Sequence, residues 1–285
     1  MHAIDFNRAC IRFNPSFSLV DINWRPEPSQ VWAIMGASGA GKSALAAALT
    51  GAGELISGDR NGTVEHAGIV SLEAQAELIE RERLRDDSDI TDRVHEGTPV
   101  REMLEEVSVD TALLKKLIGL FRLEPLLERG FGKLSTGESR KVLYTRALTS
   151  KPEFLIIDGP FEGLDAKTVP LISDILEQLA TELPMVLVIN RFDELPGFVT
   201  HVAFLEKGHM KTTLETADDE ALELLSRFLH LKSTDIAIPP TISSEKAPPL
   251  HKNAPLVNLH DASIRYTDNL VFEHLDWRIE AGQHW

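Results

Sequence analysis

The sequence predicts an α/β fold with a mainly parallel core sheet, an antiparallel β subdomain and an inserted α-helical subdomain. Three observations carry this. First, Gly36-Ala37-Ser38-Gly39-Ala40-Gly41-Lys42-Ser43 fits G-x-x-x-x-G-K-[ST], between the apolar run Val31–Met35 and the helix formers Ala44–Leu49. Second, Phe154–Asp158 and Met185–Ile189 are apolar runs of strand length, separated by a helical stretch. Third, the stretch from about residue 76 to 150 reads as helical throughout.

Composition sets the outer bounds. The 285 residues suit one large domain or two smaller ones. With 29 basic against 44 acidic residues the net charge is −15, which argues against nucleic acid or an anionic membrane as the main partner. Cys10 is the single cysteine, so no internal disulfide forms, and a small buried hydrophobe is its expected role. Apolar runs stay well short of the roughly 18–20 residues of a membrane-spanning helix. Met1–Asp5 lacks the basic and apolar regions of a signal peptide, and a cytoplasmic protein is expected.

Taken in order, Phe13 lies in an alternating, strand-like stretch, where its ring either offers a face to a purine or is an ordinary strand aromatic. Val31–Met35, the glycine-rich turn and the helix stopped by Gly51 and Gly53 form a strand–loop–helix unit. There, successive backbone N–H groups and the helix start cradle an anion, Lys42 reaches outer phosphates and Ser43 offers a hydroxyl to Mg²⁺. Ile69–Leu72 reads as a short strand ending near Glu73 and Gln75. The charged run Arg81–Asp87 reads as a solvated helix face or an exposed loop. Val100, Met103 and Leu104, then Leu113, Leu114, Leu117 and Ile118, recur at helical spacing. Leu134-Ser135-Thr136-Gly137-Glu138 precedes a helix from Arg140 to Leu148 and offers a second anion-binding turn. Phe154–Ile157 closes on Asp158, a carboxylate suited to the water shell of Mg²⁺. Ile172, Ile175, Leu176 and Leu179 mark the next helix, and Met185–Ile189 the next strand, ending in Asn190-Arg191. Val202–Leu205 with Glu206-Lys207-Gly208 predicts a closing hairpin. Residues 217–232 form one more helix, and the proline-rich stretch 233–256 reads as an extended linker.

The chain also repeats itself. Residues 9–32 and 262–285 align without a gap: Ala9, Ile11, Arg12, Trp24, Arg25, Glu27, Gln30 and Trp32 recur as Ala262, Ile264, Arg265, Trp277, Arg278, Glu280, Gln283 and Trp285. Phe13 faces Tyr266. The first copy leads into the phosphate loop, and the second stops where its own loop is due. The expectation is a tandem protein of which this chain is the first half plus the opening of the second.

The ordered set of phosphate loop, helical insertion, Leu134–Glu138 pentapeptide, Asp158 strand and Gly163-Leu164-Asp165 resembles the ATP-binding cassette (ABC) ATPases over roughly residues 5–215. "LSTGESRK", "GLD" and "NRFDELP", with the tandem layout, are similar to a branch of that family associated with molybdenum operons. The resemblance implies a P-loop NTPase fold of ABC type. Residues 1–216 would be one nucleotide-binding domain, with its helical insertion at about 76–150. Residues 217–256 would be a helix plus linker, and 257–285 the first strands of a second domain. It implies ATP and Mg²⁺ as ligands, sandwiched head to tail between two cassettes. Gly36, Ala37, Ser38, Gly39, Ala40, Gly41, Lys42, Ser43 and Ala44 would hold phosphates, with Phe13 on the adenine. Ser43, Gln75 and Asp158 would serve the metal, Asp158 and Gln75 acting in catalysis; Glu73 is the second choice to Gln75 in the γ-phosphate-sensing loop. Ser135, Gly137 and Glu138 would meet ATP held by the other cassette, and Asp165 would sit at the cassette interface.

Two positions depart from the family pattern. Gly159 stands where a glutamate usually polarises the attacking water, and Asn190 where a histidine is usual. Loss of a general base lowers rates by about 10²–10⁴-fold. Glu162 is nearby in sequence but is not assigned the base role. The site on Lys42 is therefore expected to bind ATP and turn it over slowly or not at all, with hydrolysis assigned to the composite site containing Ser135. The leading expectation is a cytoplasmic tandem-cassette ATPase, or one peripheral at the inner membrane. A second is the motor half of a molybdate importer, docking a permease through the helical insertion. A third is a non-hydrolytic, ATP-gated regulator. No nucleic-acid partner is expected, since residues 217–256 lean acidic where a ribosome-acting relative would carry a basic arm.

Overall fold

The computed structural model describes residues 4–84, 97–234, 255–266 and 269–280. The chain forms two units, Met1–Thr234 and Asp235–Trp285. Arg85, Asp86 and Asp87 of the charged run, most of the proline-rich linker and the end of the second repeat copy lie outside the described residues.

The first unit is organised by strands that are apolar on both faces. These are β3 (Val31–Gly36), β6 (Phe154–Asp158), β7 (Met185–Ile189) and β8 (His201–Glu206). β3 pairs in parallel with β7 and β8, and β6 with β7 and with β5 (Ala67–Val70). Successive side chains of a strand point to opposite faces, so continuous apolar runs build two cores. Val31, Ala33, Met35, Leu155, Ile157, Leu187 and Ile189 belong to the core that also holds the helical insertion. Trp32, Ile34, Phe154, Ile156, Val186 and Val188 belong to the core under the phosphate-loop helix, α1 (Lys42–Ala48).

An antiparallel arm extends the sheet: β1 (Asp5–Asn14) pairs with β2 (Phe17–Trp24) and with β4 (Glu54–Asn61). The full order is β4-β1-β2-β9-β8-β3-β7-β6-β5, where β9 is His209–Glu215. The predicted hairpin is present as β8–β9, turning through Lys207 and Gly208 at φ 50° and 79°. Two left-handed residues are what a tight hairpin turn demands. That turn is tied to the phosphate loop, since the Gly208 N–H donates to the Ala40 carbonyl at 2.8 Å.

The expected strand at Ile69–Leu72 is displaced by two residues. β5 ends at Val70, and α2 (Leu72–Leu84) begins where the strand was expected to end. The Ser71 hydroxyl accepts the Ala74 N–H at 3.0 Å, and this local cap starts the helix early. The insertion continues with α3 (Val100–Glu105), α4 (Thr111–Leu120) and α5 (Thr136–Thr149). α4 is capped by Asp110, whose carboxylate accepts from the Ala112 and Leu113 N–H groups. α6 (Thr168–Ala180) follows β6 and buries Ile172, Ile175 and Leu176; α7 (Asp219–Thr234) closes the unit.

The second unit shows one antiparallel hairpin, β10 (Val257–Tyr266) and β11 (Asn269–Ile279). Its internal register repeats that of β1–β2. Phe6↔Trp24, Ala9↔Ile22 and Ile11↔Leu19 in the first correspond to Leu259↔Trp277, Ala262↔Leu275 and Ile264↔Phe272 in the second. Two register breaks coincide, Phe6/Ala9 with Leu259/Ala262 and Ala9/Ile11 with Ala262/Ile264, and the third differs, at Arg12/Asn14 in one and Ile264/Arg265 in the other. Arg8 (φ 48°) and Asp21 (φ 53°) have left-handed counterparts in Asp261 (φ 47°) and His274 (φ 53°). Among the described residues, no helix is long and apolar enough to cross a membrane.

Candidate nucleotide-binding site

Parallel strands place their C-terminal ends on one edge, where loops from different strands meet. Here β3 ends at Gly36, β6 at Asp158 and β7 just before Asn190, and a cleft of about 360 Å³ opens between them. Lys42, Ser43, Asp158 and Asn190 all line it, together with Ser38 and Gly39.

Lys42 is 6 % exposed. Its ammonium donates to the carbonyls of Gly36 at 2.9 Å and Ala37 at 3.0 Å, so the loop wraps its own cation. Burial holds the amine below the usual lysine range, while the charges of Asp158 and Glu162 push the other way. Gly41, which precedes α1, has φ 101°, and a Cβ there would lie 2.6 Å from the Phe17 ring; only glycine fits both demands. Around the place of a Cβ on Gly39 nothing stands within 4 Å, so that stretch of loop backbone faces open space.

Asp158 is fixed through its backbone. Arg140, fully buried in α5, donates from one guanidinium nitrogen to the carbonyls of Asp158 at 2.7 Å and Gly159 at 2.6 Å. The chain then turns at once: the Glu162 N–H donates to the Gly159 carbonyl at 3.2 Å, with Pro160 at the second position of the turn. Tyr144 donates its buried hydroxyl to the Pro160 carbonyl at 3.2 Å, and burial pushes that phenol's pKa up. Gly159 has φ 63°.

The other residues singled out in the sequence have different settings. Phe13 packs its ring edge against Gly53, where a Cβ would sit 3.1 Å away, and does not line the cleft; Phe17 does. The two rings are 6.5 Å apart, tilted by 50°. Gln75 lies in α2 and donates its amide to the Ser139 hydroxyl at 2.8 Å, away from the cleft lining. Glu73, also in α2, is exposed. Ser135 and Glu138 form a capping box at the start of α5. The Glu138 carboxylate accepts the Ser135 N–H at 2.8 Å, and Arg129 stands 3.3 Å from it. Gly137 faces Asp165, whose carboxylate accepts from the Lys167 and Thr168 N–H groups and from the Thr168 hydroxyl. The Thr168 bond, above all, holds the Asp165 carboxyl below the usual range.

Sequence reasoning passed over Phe17 and left Glu162 without a role. A signal for Phe17 was available: it opens β2 directly after the Asn14-Pro15-Ser16 turn, in which the Asn14 carbonyl oxygen of the side chain accepts the Ser16 N–H at 2.9 Å. A turn that short sets both flanking phenylalanines at the same end of the hairpin.

A buried lysine ammonium beside an open loop backbone suits a polyphosphate. The hydroxyl of Ser43 and the carboxylate of Asp158 are hard oxygen donors for Mg²⁺, which takes one or two protein oxygens and completes its shell with phosphate and water. Among the described residues no cluster of three or more His, Cys, Asp or Glu offers an all-protein metal cage.

Residues 19–162 match the family described as ABC transporter. The chain belongs to the ABC transporter family. The cassette is 33 % identical over 262 residues to "ABC transporter ATP-binding protein ModF" of Escherichia coli (strain K12), an alignment covering 89 % of this chain and 53 % of that protein. It is 31 % identical over 189 residues to "Molybdenum import ATP-binding protein ModC" of the same organism, covering 64 % of this chain and 52 % of that one. The chain thus spans about half the length of these curated relatives. Among solved structures, "Structure of ATP binding subunit of ABC transporter" shares the fold at TM-score 0.62 and 17 % identity, covering 81 % of this chain and 99 % of that chain. "Structure of a bacterial Atm1-family ABC exporter with ATP bound" does so at TM-score 0.64 and 16 % identity, covering 83 % of this chain and 42 % of that one. The cassette is an ABC-type ATP-binding protein related to ModF and ModC.

Proposed function

We propose that this cassette binds Mg²⁺–ATP in the cleft on Lys42 and, in a complete two-cassette protein, takes part in an ATP hydrolysis cycle linked to molybdate transport or its regulation. The observation that carries the reading is the convergence of Lys42, Ser43 and Asp158 on one cleft at the ends of three parallel strands. Lys42 would meet the β- and γ-phosphates, Ser43 and Asp158 would serve Mg²⁺, and Phe17 with Phe13 would border the base. When bound, Mg²⁺ neutralises phosphate charge. Ser135 and Gly137, at the start of α5, would complete a nucleotide site on a second cassette.

The tandem arrangement is supported by the β10–β11 hairpin, which shares three matched strand pairs and two left-handed positions with β1–β2. The molybdate link is supported by the names of two relatives. A membrane permease is the partner expected if the cycle drives transport, and the cytoplasmic face of the inner membrane is then the place of work.

Binding of a fluorescent mant-ATP to the full-length protein tests the reading. Lys42→Ala removes charge-assisted hydrogen bonds worth about 1.5–3 kcal/mol each, so affinity falls about tenfold to a hundredfold. Unchanged affinity overturns the assignment. A second reading, an ATP-gated regulator without turnover, is favoured by the absence of a side chain at Gly159. Tight mant-ATP binding with no phosphate release from the full-length protein would select it.

A further inference from the structure

The space that a side chain at Gly159 would enter is not empty. A Cβ built on Gly159 lies 2.7 Å from both the Cδ and an Oε of Glu162, so the carboxylate of Glu162 occupies the ground next to Asp158. Three features hold it there. The Gly159–Glu162 turn folds the chain back, with Arg140 gripping the carbonyls at its start and Tyr144 the carbonyl of Pro160. Asn190, at the end of β7 and itself lining the cleft, donates its side-chain amide to the other Oε at 2.5 Å. The negative charge of Glu162 reaches the buried ammonium of Lys42 alongside that of Asp158. Thus two departures from the family pattern, Gly159 and Asn190, are joined by a single carboxylate.

Resting on the ATP-binding reading above, we propose that Glu162, oriented by Asn190, is the carboxylate this cassette presents to the terminal phosphate and its attacking water. Glycine at 159 is what makes room for it. The water oxygen bonds to the γ-phosphorus while the bond to the bridging oxygen breaks, its electron pair leaving on ADP. One water proton passes to Glu162, which returns it to solvent. Asn190 is a positioning residue: its amide fixes the carboxylate and leaves the second oxygen to receive the proton.

The test pairs binding with chemistry in the full-length protein, using mant-ATP, mant-ADP and single-turnover cleavage of γ-labelled ATP with protein in excess. A carboxylate facing the terminal phosphate repels it. Glu162→Gln is therefore expected to tighten mant-ATP about fivefold to tenfold while mant-ADP stays within about twofold, and to slow cleavage about 10²-fold. Asn190→Ala is expected to slow cleavage about tenfold with mant-ADP affinity unchanged. If Glu162→Gln fails to fold, Glu162→Asp keeps the charge and withdraws the oxygens by one methylene, and cleavage should fall without the gain in ATP affinity. The proposal is overturned if Glu162→Gln weakens both nucleotides alike, which marks a purely structural turn. It is equally overturned if cleavage is unchanged in Glu162→Gln, or if the wild type binds mant-ATP without cleaving it. Failure of the wild type to bind mant-ATP at all would instead remove the reading on which the proposal rests.

Discussion

Lys42 carries the clearest energetic tension at the residue scale. A buried ammonium satisfied by two carbonyls is held below its usual pKa mainly by burial. A lysine whose folded pKa is depressed binds its proton more weakly in the native state than in the unfolded chain. Stability of the nucleotide-free protein from this group therefore rises with pH through the window between the folded and unfolded values, ending near pH 10.4. Urea denaturation between pH 8 and 10 should show wild type gaining on Lys42→Met as pH climbs. Gly41 offers a second check. Alanine there meets both φ 101° and the Phe17 ring at 2.6 Å, and a loss of about 1–3 kcal/mol is expected in the same assay. Residue roles were unevenly legible. The loop Gly36–Ser43 announces itself because its glycines are demanded by backbone shape. The setting of Glu162 depends on a turn closed by Arg140 and Tyr144 from a different element, and no local pattern encodes that.

Between elements, the decisive joint is α5 against the end of β6. Arg140 is fully buried and gives hydrogen bonds to two successive carbonyls, so the helix capped by Ser135 is tied directly to the end of the strand that closes on Asp158. Arg140→Met keeps the stem and removes both bonds, leaving the Gly159 carbonyl only its bond from the Glu162 N–H. A loss of about 2–4 kcal/mol in urea denaturation is expected, since such bonds involve a charged donor. The parallel strands were readable because β3, β6 and β7 are apolar on both faces. The edge strand β4 was not: Glu54–Asn61 is mostly exposed and carries Ser, Gly, Asp and Asn, so its pairing with β1 is a tertiary choice. The two-residue displacement at Ser71–Leu72 has a similar origin, a serine cap overriding an apolar run that reads equally well as strand.

At the scale of the whole molecule, the buried members of both hydrophobic cores among the described residues lie between Ile4 and Leu225. A chain ending at Thr234 is therefore expected to fold alone, with a melting temperature within a few degrees of the longer protein and retained mant-ATP binding. A drop of more than about 10 °C in calorimetry would show that the second unit supports the first. The overall architecture followed from the alternation of apolar strands and helices, whereas the number of units rested on the repeat.

The two hairpins also share bends that their side chains do not dictate. Arg8 and Asp261, and likewise Asp21 and His274, hold the same left-handed backbone with different side chains. Outside glycine that region is uncommon, with asparagine, aspartate and histidine enriched in it. Each bend is thus kept with arginine in one hairpin and aspartate in the other, and with aspartate in one and histidine in the other. What the two hairpins have in common is a main-chain path, held at its bends by different amino acids.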